Sequence, residues 1–587
     1  MSETQLKGCE YLLRETALED LFTPEDFSDE HRQIAGTTEQ FVANEVLPQI
    51  EEIEAQNFTK VVELLHRAGE LGLMMVDGPE EYGGLNLDKV TSMLTAEILG
   101  RAGSFSVSLM AHNGIGTLPL VYYGTPGQKE RYLEKLLTTE MLGAYCLTEP
   151  GSGSDALGAA TSAVLSEDGT HYTLNGTKQF ITNAAFADLF TVFAKVDKQH
   201  FTGFLVERGF EGVSIGVEEK KLGIKGSSTC QVVLDNVKVP AENLLGEIGK
   251  GHKIAFNVLN VGRFKLGAGA TGAAKQAFKD AAQYANERKQ FNTAISNFGA
   301  IKEKLADMVT EIFTSESVVY RLAGLLDDHL QGLDKTSDSY YADYQKGIEQ
   351  YAAECAIAKV YCSEVQAFVA DETLQIHGGY GFVSEYPAER YYRDARISRI
   401  YEGTNEINRI LIPGLVLARG LKGEIPLQEA LAAAFEEDNE PDTNVPFALE
   451  QAQLKRLKSL LLILLGAALE KFQNRLQQEQ ETLLPLADLA IQIFAMESAV
   501  LRAEKAYPMA SAGRQALYRA IALTAAFRAT RKAAEAAQKA TYFIGNAQQL
   551  RLLRTTIARL TDFDASGLLD AKRVLAEAAR ENEKYIF

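Results

Sequence analysis

Two hydrophobic periods alternate along the chain. From about Pro24 to Leu142 apolar residues recur three and four positions apart, as in "VVELLHRAGELGLMMV" and "TPGQKERYLEKLL", the spacing of a single buried helical face. Thr125 followed by Pro126 predicts a helix start, because a hydroxyl can cap free N–H groups and proline fits the first helical position. "DGPEEYGGLN" reads as a loop between helices. From about Tyr145 to Glu247 the period shortens. "HYTLNGTKQFITNA" alternates on both sides of Asn175-Gly176, which predicts a tight hairpin turn there. "LFTVFAKV", "FTGFLVE", "GVSIGVEE" and "CQVVLDNVKVP" are further short runs of β-branched and aromatic residues.

Long helical segments return from about Lys250 to Gly414. "EEDNEPDTNVP", Glu436 to Pro446, reads as an acidic linker, and an Ala- and Leu-rich helical region follows it. No repeat of 20 to 50 residues is present, which argues against a solenoid. The expected fold is mainly α with a β domain. It comprises an N-terminal tail (1–26), an N-terminal helical domain (27–144) and a middle antiparallel β-barrel-like domain (145–248). A helical bundle domain (249–420), a linker (421–446) and an extra C-terminal helical domain (447–587) complete it.

Length and charge refine this picture. A chain of 587 residues exceeds what one core supports. A formal charge of −20 argues against nucleic-acid binding, which needs clustered cations. Five scattered cysteines have neither metal-site spacing nor a disulfide framework, so no metal is expected. The acidic N-terminus resembles no export signal, and the apolar run "SLLLILLGAAL" is too short to span a bilayer. The expected location is cytoplasmic.

Five stretches carry candidate chemistry. In "AYCLTEPGSGSDALG" glycines alternate with Ser152 and Ser154, letting backbone N–H groups approach a polar ligand, although a ligand-free turn has the same composition. "QFITNA" sets an aromatic beside a hydroxyl on a strand. "ERKQFNTAI" puts Arg288 at a helix end, where a phosphate contact competes with simple service to the helix dipole. "QIHGGYGF" ends a helix in paired glycines, and His377 within it reads as packed or capping. In "RISRIYEGTNEINR" Glu402 follows Ile400 and Tyr401. In isolation it reads as an ion-pair partner of Arg399 or Arg409.

Taken in order, these stretches resemble the acyl-CoA dehydrogenase family from about Phe27 to Leu415. The matches are Tyr145–Asp155 with "Y-C-x-T-E-P-x-x-G-S-D", Phe180–Asn183 with "W/F-I-T-N", Arg288–Phe291 with "R-x-x-F", Gln375–Gly381 with "Q-x-x-G-G-x-G" and Tyr401–Thr404 with "Y-E-G-T". The extra helical region, together with "GAIKEKLADM" and "RDARISRIYEGTNEI", looks most like the very-long-chain branch, the region itself in position, length and helical character only. The resemblance implies FAD as cofactor and α,β-dehydrogenation of long-chain acyl-CoA in fatty acid β-oxidation. Electrons would pass to an electron-transferring flavoprotein. It implies Glu402 as the catalytic base. It implies Tyr145, Leu147, Thr148, Ser154, Phe180 and Thr182 around the flavin. Arg288, Phe291, Gln375, Gly378 and Gly379 would reach a neighbouring subunit's FAD, making at least a homodimer. Thr404 and Glu406 would close the phosphate end. Ser154, Asn260, Arg263, Tyr401 and Gly403 would meet the substrate.

Phe180 stands where most relatives carry Trp, and small Ala111 suggests a deep acyl tunnel. An acyl-CoA oxidase on the same architecture and a non-catalytic scaffold are the competing readings. In the last region "QQLRLLRTTIARL" sets Leu550, Leu553, Ile557 and Leu560 on one face and Arg551, Arg554 and Arg559 opposite. That pattern suits a bundle helix, or else peripheral membrane attachment.

Overall fold

The computed structural model describes residues 6–337, 339–435 and 441–587, and helices, strands and helices follow in the expected order. In the first helical region, Asp29–Phe41, Phe58–Glu70, Lys89–Gly100 and Pro126–Leu137 each start on a capping side chain: Ser28, Asn57, Asp88 and Thr125. Each accepts a backbone N–H from the following turn, which satisfies a donor the helix leaves open. Thr125 and Gln128 cap one another reciprocally around Pro126.

The β domain runs through β1 (Gly143–Cys146), β2 (Ser162–Leu165), β3 (His171–Thr182), β4 (Leu189–Val196), β5 (His200–Glu207), β6 (Val213–Ile215), β7 (Thr229–Pro240) and β8 (Leu244–Leu245). Their order is β6-β7-β3-β2-β4-β5-β8, with β1 also on β4. Most neighbours are antiparallel, while β1 and β2 lie parallel to β4. Phe190, Val192 and Ala194 of β4 fill the domain's own core, and Leu189 and Phe193 face the large helical core. Burial on both faces docks this sheet against the helices.

Asn175-Gly176 is not a turn. Both residues lie inside β3, at a register shift opposite β7, and the Asn175 side chain bonds to Asn236 of that partner strand. Glycine is needed there for space: a Cβ would come within 2.3 Å of Thr161 Oγ1. The dipeptide serves a bulge, where the same two residues also recur.

The bundle is built on the 37-residue helix Gly251–Glu287, packed against Lys89–Gly100, Gly299–Leu330 and Ala352–His377. Its "GAGATGAA" segment, Gly267 to Ala274, exists for close approach. A Cβ on Gly272 would lie 1.7 Å from Glu97 O, and one on Gly100 would lie 2.1 Å from Gly269 O. Beyond it, Leu427–Ala433 is helical within the stretch expected to be a linker, with Leu427 buried. Positions 436–440 of the acidic linker lie outside the described residues.

The C-terminal region contains Ala448–Phe472, Gln480–Ala506, Ala512–Ile544, Ala547–Leu560 and Leu568–Asn582. Gln480–Met509 is long and apolar enough to cross a membrane, a span the sequence reading missed, yet it is mostly buried in protein. Leu553, Ile557 and Leu560 are likewise buried, so that face of the amphipathic helix serves the bundle. Buried ion pairs join this region to the bundle. Glu497 meets Arg321 at 2.7 Å and Lys458 at 2.6 Å, while Glu316 meets Arg502 at 2.6 Å and also Lys275. The N-terminal segment straps the joint, with Glu25 on Arg502 at 2.9 Å and Tyr11 edge-on to Phe494. All five cysteines are buried free thiols.

Candidate active site

Helices Gly251–Glu287 and Ala352–His377, the end of β3 and the turn before helix Asn405–Leu421 surround a cleft whose empty space, counting the part open to solvent, is about 1100 Å³. Gly262, Leu266, Gly269, Ala270, Ala273 and Ala277 line it from one face of a single helix, joined by Ala111, Ile115, Thr182, Tyr401 and Glu402. Residues spaced by three and four along a helix share a face, and small ones there leave a channel.

Glu402 does not form the ion pair that its local sequence suggested. Arg409 is engaged by Glu364 at 2.8 Å and Asp488 at 2.6 Å, and Arg399 Nε is buried without a partner. The Oε2 of Glu402 is covered and also has no hydrogen-bond partner. Burial pushes this carboxyl up to about 7, against the opposing pull of Arg263 and Lys359. A Cβ on Gly262 would lie 2.7 Å from that oxygen, so glycine there leaves the carboxyl room where a side chain would displace it.

The turn bearing the acid is held in an uncommon shape. Glu402 and Gly403 both have positive φ, +58° and +81°. Arg263 Nε donates to Glu402 O at 3.3 Å, and Asn408 Nδ2 donates to Gly403 O at 2.8 Å. Arg263 was expected against substrate. It is buried beneath the acid, where Asn260 Oδ1 accepts a second bond from it at 3.0 Å. Arg263 thereby braces the turn, and Asn260 backs Arg263.

The flavin-side candidates gather at the mouth of the β domain. Phe180 sits at a second register shift of β3, with φ +58° and 61% of its surface exposed. A phenyl ring held out from a bulge is costly unless something covers it. Leu147 is buried, and Tyr145 is partly exposed with its hydroxyl 3.4 Å from Ala255 O. Gln179 N donates to Thr148 O at 2.8 Å. Gly151, Gly153 and Ser154 are exposed, and a Cβ on either glycine would meet only open space. Glu149 braces this loop, accepting from Lys178 at 2.6 Å and from the Ala160 N–H. A strained exposed ring, a bare Gly-Ser loop and a hydroxyl beside an empty cleft fit a planar cofactor with a polar chain.

Arg288, Phe291, Gln375, Gly378 and Gly379 lie elsewhere. Arg288, Gly378 and Gly379 line a separate open groove, and Arg288 stacks on Tyr380 at 5.3 Å. Gln375 is exposed, and Phe291 is 90% exposed at φ +51°. His377 is packed as expected: buried, on Thr373 O at 2.7 Å and stacked with Tyr284. Thr404 caps helix Asn405–Leu421, and Glu406 is exposed in its first turn. A carboxylate repels phosphate, so the helix N-terminus suits a phosphate better than the Glu406 side chain does. Among the described residues no cluster of metal-ligating side chains occurs.

Gly262, Lys359 and Asn408 belong to the site but were absent from the sequence reading. "NVGRF" was the available signal for the first, and the other two carried none.

Comparison with known proteins agrees with this geometry. Residues 28–140, 144–237 and 249–414 match the acyl-CoA dehydrogenase N-terminal, middle and C-terminal domains. Residues 456–559, where no motif was legible, match a further domain described as an acyl-CoA dehydrogenase C-terminal domain. A probable acyl-CoA dehydrogenase of Bacillus subtilis is 47% identical over 99% of this chain and 98% of its own length. The mouse mitochondrial very long-chain specific acyl-CoA dehydrogenase is 37% identical over 75% of this chain and 70% of its own. The crystal structure of an acyl-CoA dehydrogenase from Bacillus anthracis, complexed with FAD, superposes with a TM-score of 0.96 at 46% identity, covering 99% of this chain and 100% of that one. From its first helical domain through its last, this chain belongs to the acyl-CoA dehydrogenase family, enzymes that oxidise a CH–CH bond.

Proposed function

We propose that this enzyme converts long-chain acyl-CoA to the trans-2-enoyl-CoA in fatty acid β-oxidation, with Glu402 as base. A single observation carries the reading: an unpartnered carboxyl oxygen at one end of a cleft that extends along the helix from Gly262 to Ala277. Fifteen residues at 1.5 Å each give about 22 Å. With about 1.3 Å of advance per methylene, from C–C bonds of about 1.5 Å, that length holds on the order of sixteen carbons.

A thioester α-proton is hard to remove in water. Burial raises the proton affinity of Glu402, and Ile115, Tyr401 and the acyl chain itself keep water out. Among the described residues the Glu402 backbone N–H has no protein acceptor, which leaves it free for the thioester oxygen as negative charge develops there. Tyr145, Leu147, Thr148, Ser154, Phe180 and Thr182 would hold FAD. When bound, FAD supplies the acceptor for the β-hydride.

An electron-transferring flavoprotein is the proposed oxidant of the reduced enzyme. Arg288, Phe291, Gln375, Gly378 and Gly379 complete a neighbouring subunit's cofactor site, which makes the working unit a homodimer or a tetramer built from it. The location is proposed as cytoplasmic. Peripheral membrane contact, if made, would use the basic face carrying Arg551, Arg554 and Arg559, since the apolar face of that helix is buried.

Anaerobic bleaching of the flavin by acyl-CoAs of increasing length tests the reading. Palmitoyl-CoA should bleach the protein, and Ala273→Leu should shift preference toward shorter chains. Equal bleaching by all lengths in both proteins would refute the tunnel. Rapid peroxide formation in air would favour the oxidase reading instead.

A further inference from the structure

Lys359 lies in the middle of helix Ala352–His377, fully buried, and no step above uses it. Its ammonium donates to Gly403 O at 2.7 Å and to Asn405 Oδ1 at 2.7 Å. Asn405 is fixed in turn, donating to Ser363 Oγ at 3.2 Å and Glu364 Oε1 at 3.0 Å. The turn between them contains the two positive-φ residues. A non-glycine residue in that region costs on the order of 1–3 kcal/mol and persists only when its surroundings hold it there.

The surroundings here are three buried donors aimed at two carbonyls. Arg263 takes Glu402 O, while Asn408 and Lys359 share Gly403 O. With both carbonyls held by bundle donors, the Glu402 side chain lines the cleft and its N–H has no protein acceptor among the described residues. Asn408 is a local clamp, six residues from the acid. Lys359 comes from a different helix and brings a charge, so it ties the turn to the body of the bundle and acts electrostatically on the carboxylate.

We propose that Lys359 is a positioning residue for the dehydrogenation: by gripping the Gly403 carbonyl it keeps the Glu402 carboxylate and backbone N–H facing the thioester. The proposal rests on the assignment of Glu402 as base. The groups facing Glu402 are Arg263 and Lys359 from the bundle, the Tyr145 phenol from β1 and its neighbour Tyr401. Those facing Lys359 are Glu402, Arg263, Glu364 and Glu406. Burial brings Lys359 down to about 7, so removing it loosens the turn throughout and, on the acid side of that value, subtracts one of two cations that favour the ionised base.

The test compares FAD-loaded wild type, Lys359→Met and Lys359→Arg by flavin bleaching rate against pH, with melting temperature measured in parallel. Lys359→Met should bleach about 10- to 100-fold more slowly at saturating acyl-CoA, with substrate affinity little changed. Its acid limb should move to higher pH, because the carboxylate has lost a favourable neighbour. Lys359→Arg should restore most of the rate and return the limb. A limb and rate unchanged in Lys359→Met, even with a lower melting temperature, would reduce Lys359 to a structural role and overturn the proposal. Should Lys359→Met fail to load FAD, Lys359→Gln serves for the same comparison. Failure of the base assignment looks different: Glu402→Gln would then bleach as fast as wild type.

Discussion

Two groups of buried carboxyls in this protein have opposite fates. At the joint between the bundle and the C-terminal domain, Glu316 and Glu311 are held down at about 2, although burial alone would raise them. Lys275 and Arg502 surround the first, and Lys532, Arg528 and Tyr361 the second. In the cleft, Glu402 stands at about 7 with cations nearby, but Arg263 and Lys359 spend their hydrogen bonds on backbone carbonyls and asparagine side chains rather than on the carboxylate. Burial is common to both places. What separates a structural acid from a base is where the neighbouring donors point.

The largest break in this comparison removes Glu402. Glu402→Gln keeps the shape and abolishes the base, so the rate of flavin bleaching by acyl-CoA should fall about 10²- to 10⁴-fold, as removal of a general base does. FAD content should be unchanged, and stopped-flow absorbance under anaerobic conditions measures the rate. Bleaching within tenfold of wild type would put the base elsewhere and make Glu402 only a second dry acid.

The converse substitution acts on a paired acid. Glu497→Gln leaves Arg321 and Lys458 in the joint without their shared carboxylate. Breaking a buried ion pair from one side costs about 3–5 kcal/mol. A lower midpoint in chemical denaturation should therefore accompany normal bleaching at low temperature. An unchanged midpoint would mean that water reaches the joint, and that the two groups differ in solvation more than in pairing.

This contrast also explains what could be read from the chain. The five motif stretches are local, and their order indicated the fold and the acid. The company that Glu402 keeps is not local. Gly262 and Lys359 lie on helices about 140 and about 40 residues away, so neither the room for the carboxyl nor the grip on its turn was visible. For the same reason a carboxylate between two arginines read as an ion pair, although Arg409 reaches instead to Asp488 in the C-terminal region. Asn175-Gly176 failed for another cause. A residue pair suited to tight backbone geometry fits a turn and a bulge equally, and only the Thr161 side chain pressed against Gly176 decides between them. Gln480–Met509 was passed over because scattered charges interrupt its apolar run, and its burial became clear only once neighbouring helices covered it.

The two groups should also leave opposite marks on stability as pH changes, which gives the smallest and most discriminating effect. Glu316 and Glu311 have folded values below the ordinary 4.5, so the stability they contribute is present above pH 4.5 and is lost as pH falls toward about 2. Glu402 has a folded value above 4.5. The folded protein then binds the extra proton between pH 4.5 and about 7, and stability declines as pH rises through that window before levelling off. Glu402→Gln cannot ionise and escapes the decline. Wild type and variant, equally loaded with FAD, should have similar melting temperatures at pH 4.5, with the variant higher by pH 8. The gap is bounded by about 3.5 kcal/mol, from roughly 1.4 kcal/mol per unit of displacement. Glu316→Gln should show the reverse order, below wild type at pH 8 and converging with it in acid. Parallel curves for Glu402→Gln and wild type would mean that the carboxyl in the cleft is as well satisfied as those in the joint, and the distinction between them would fail.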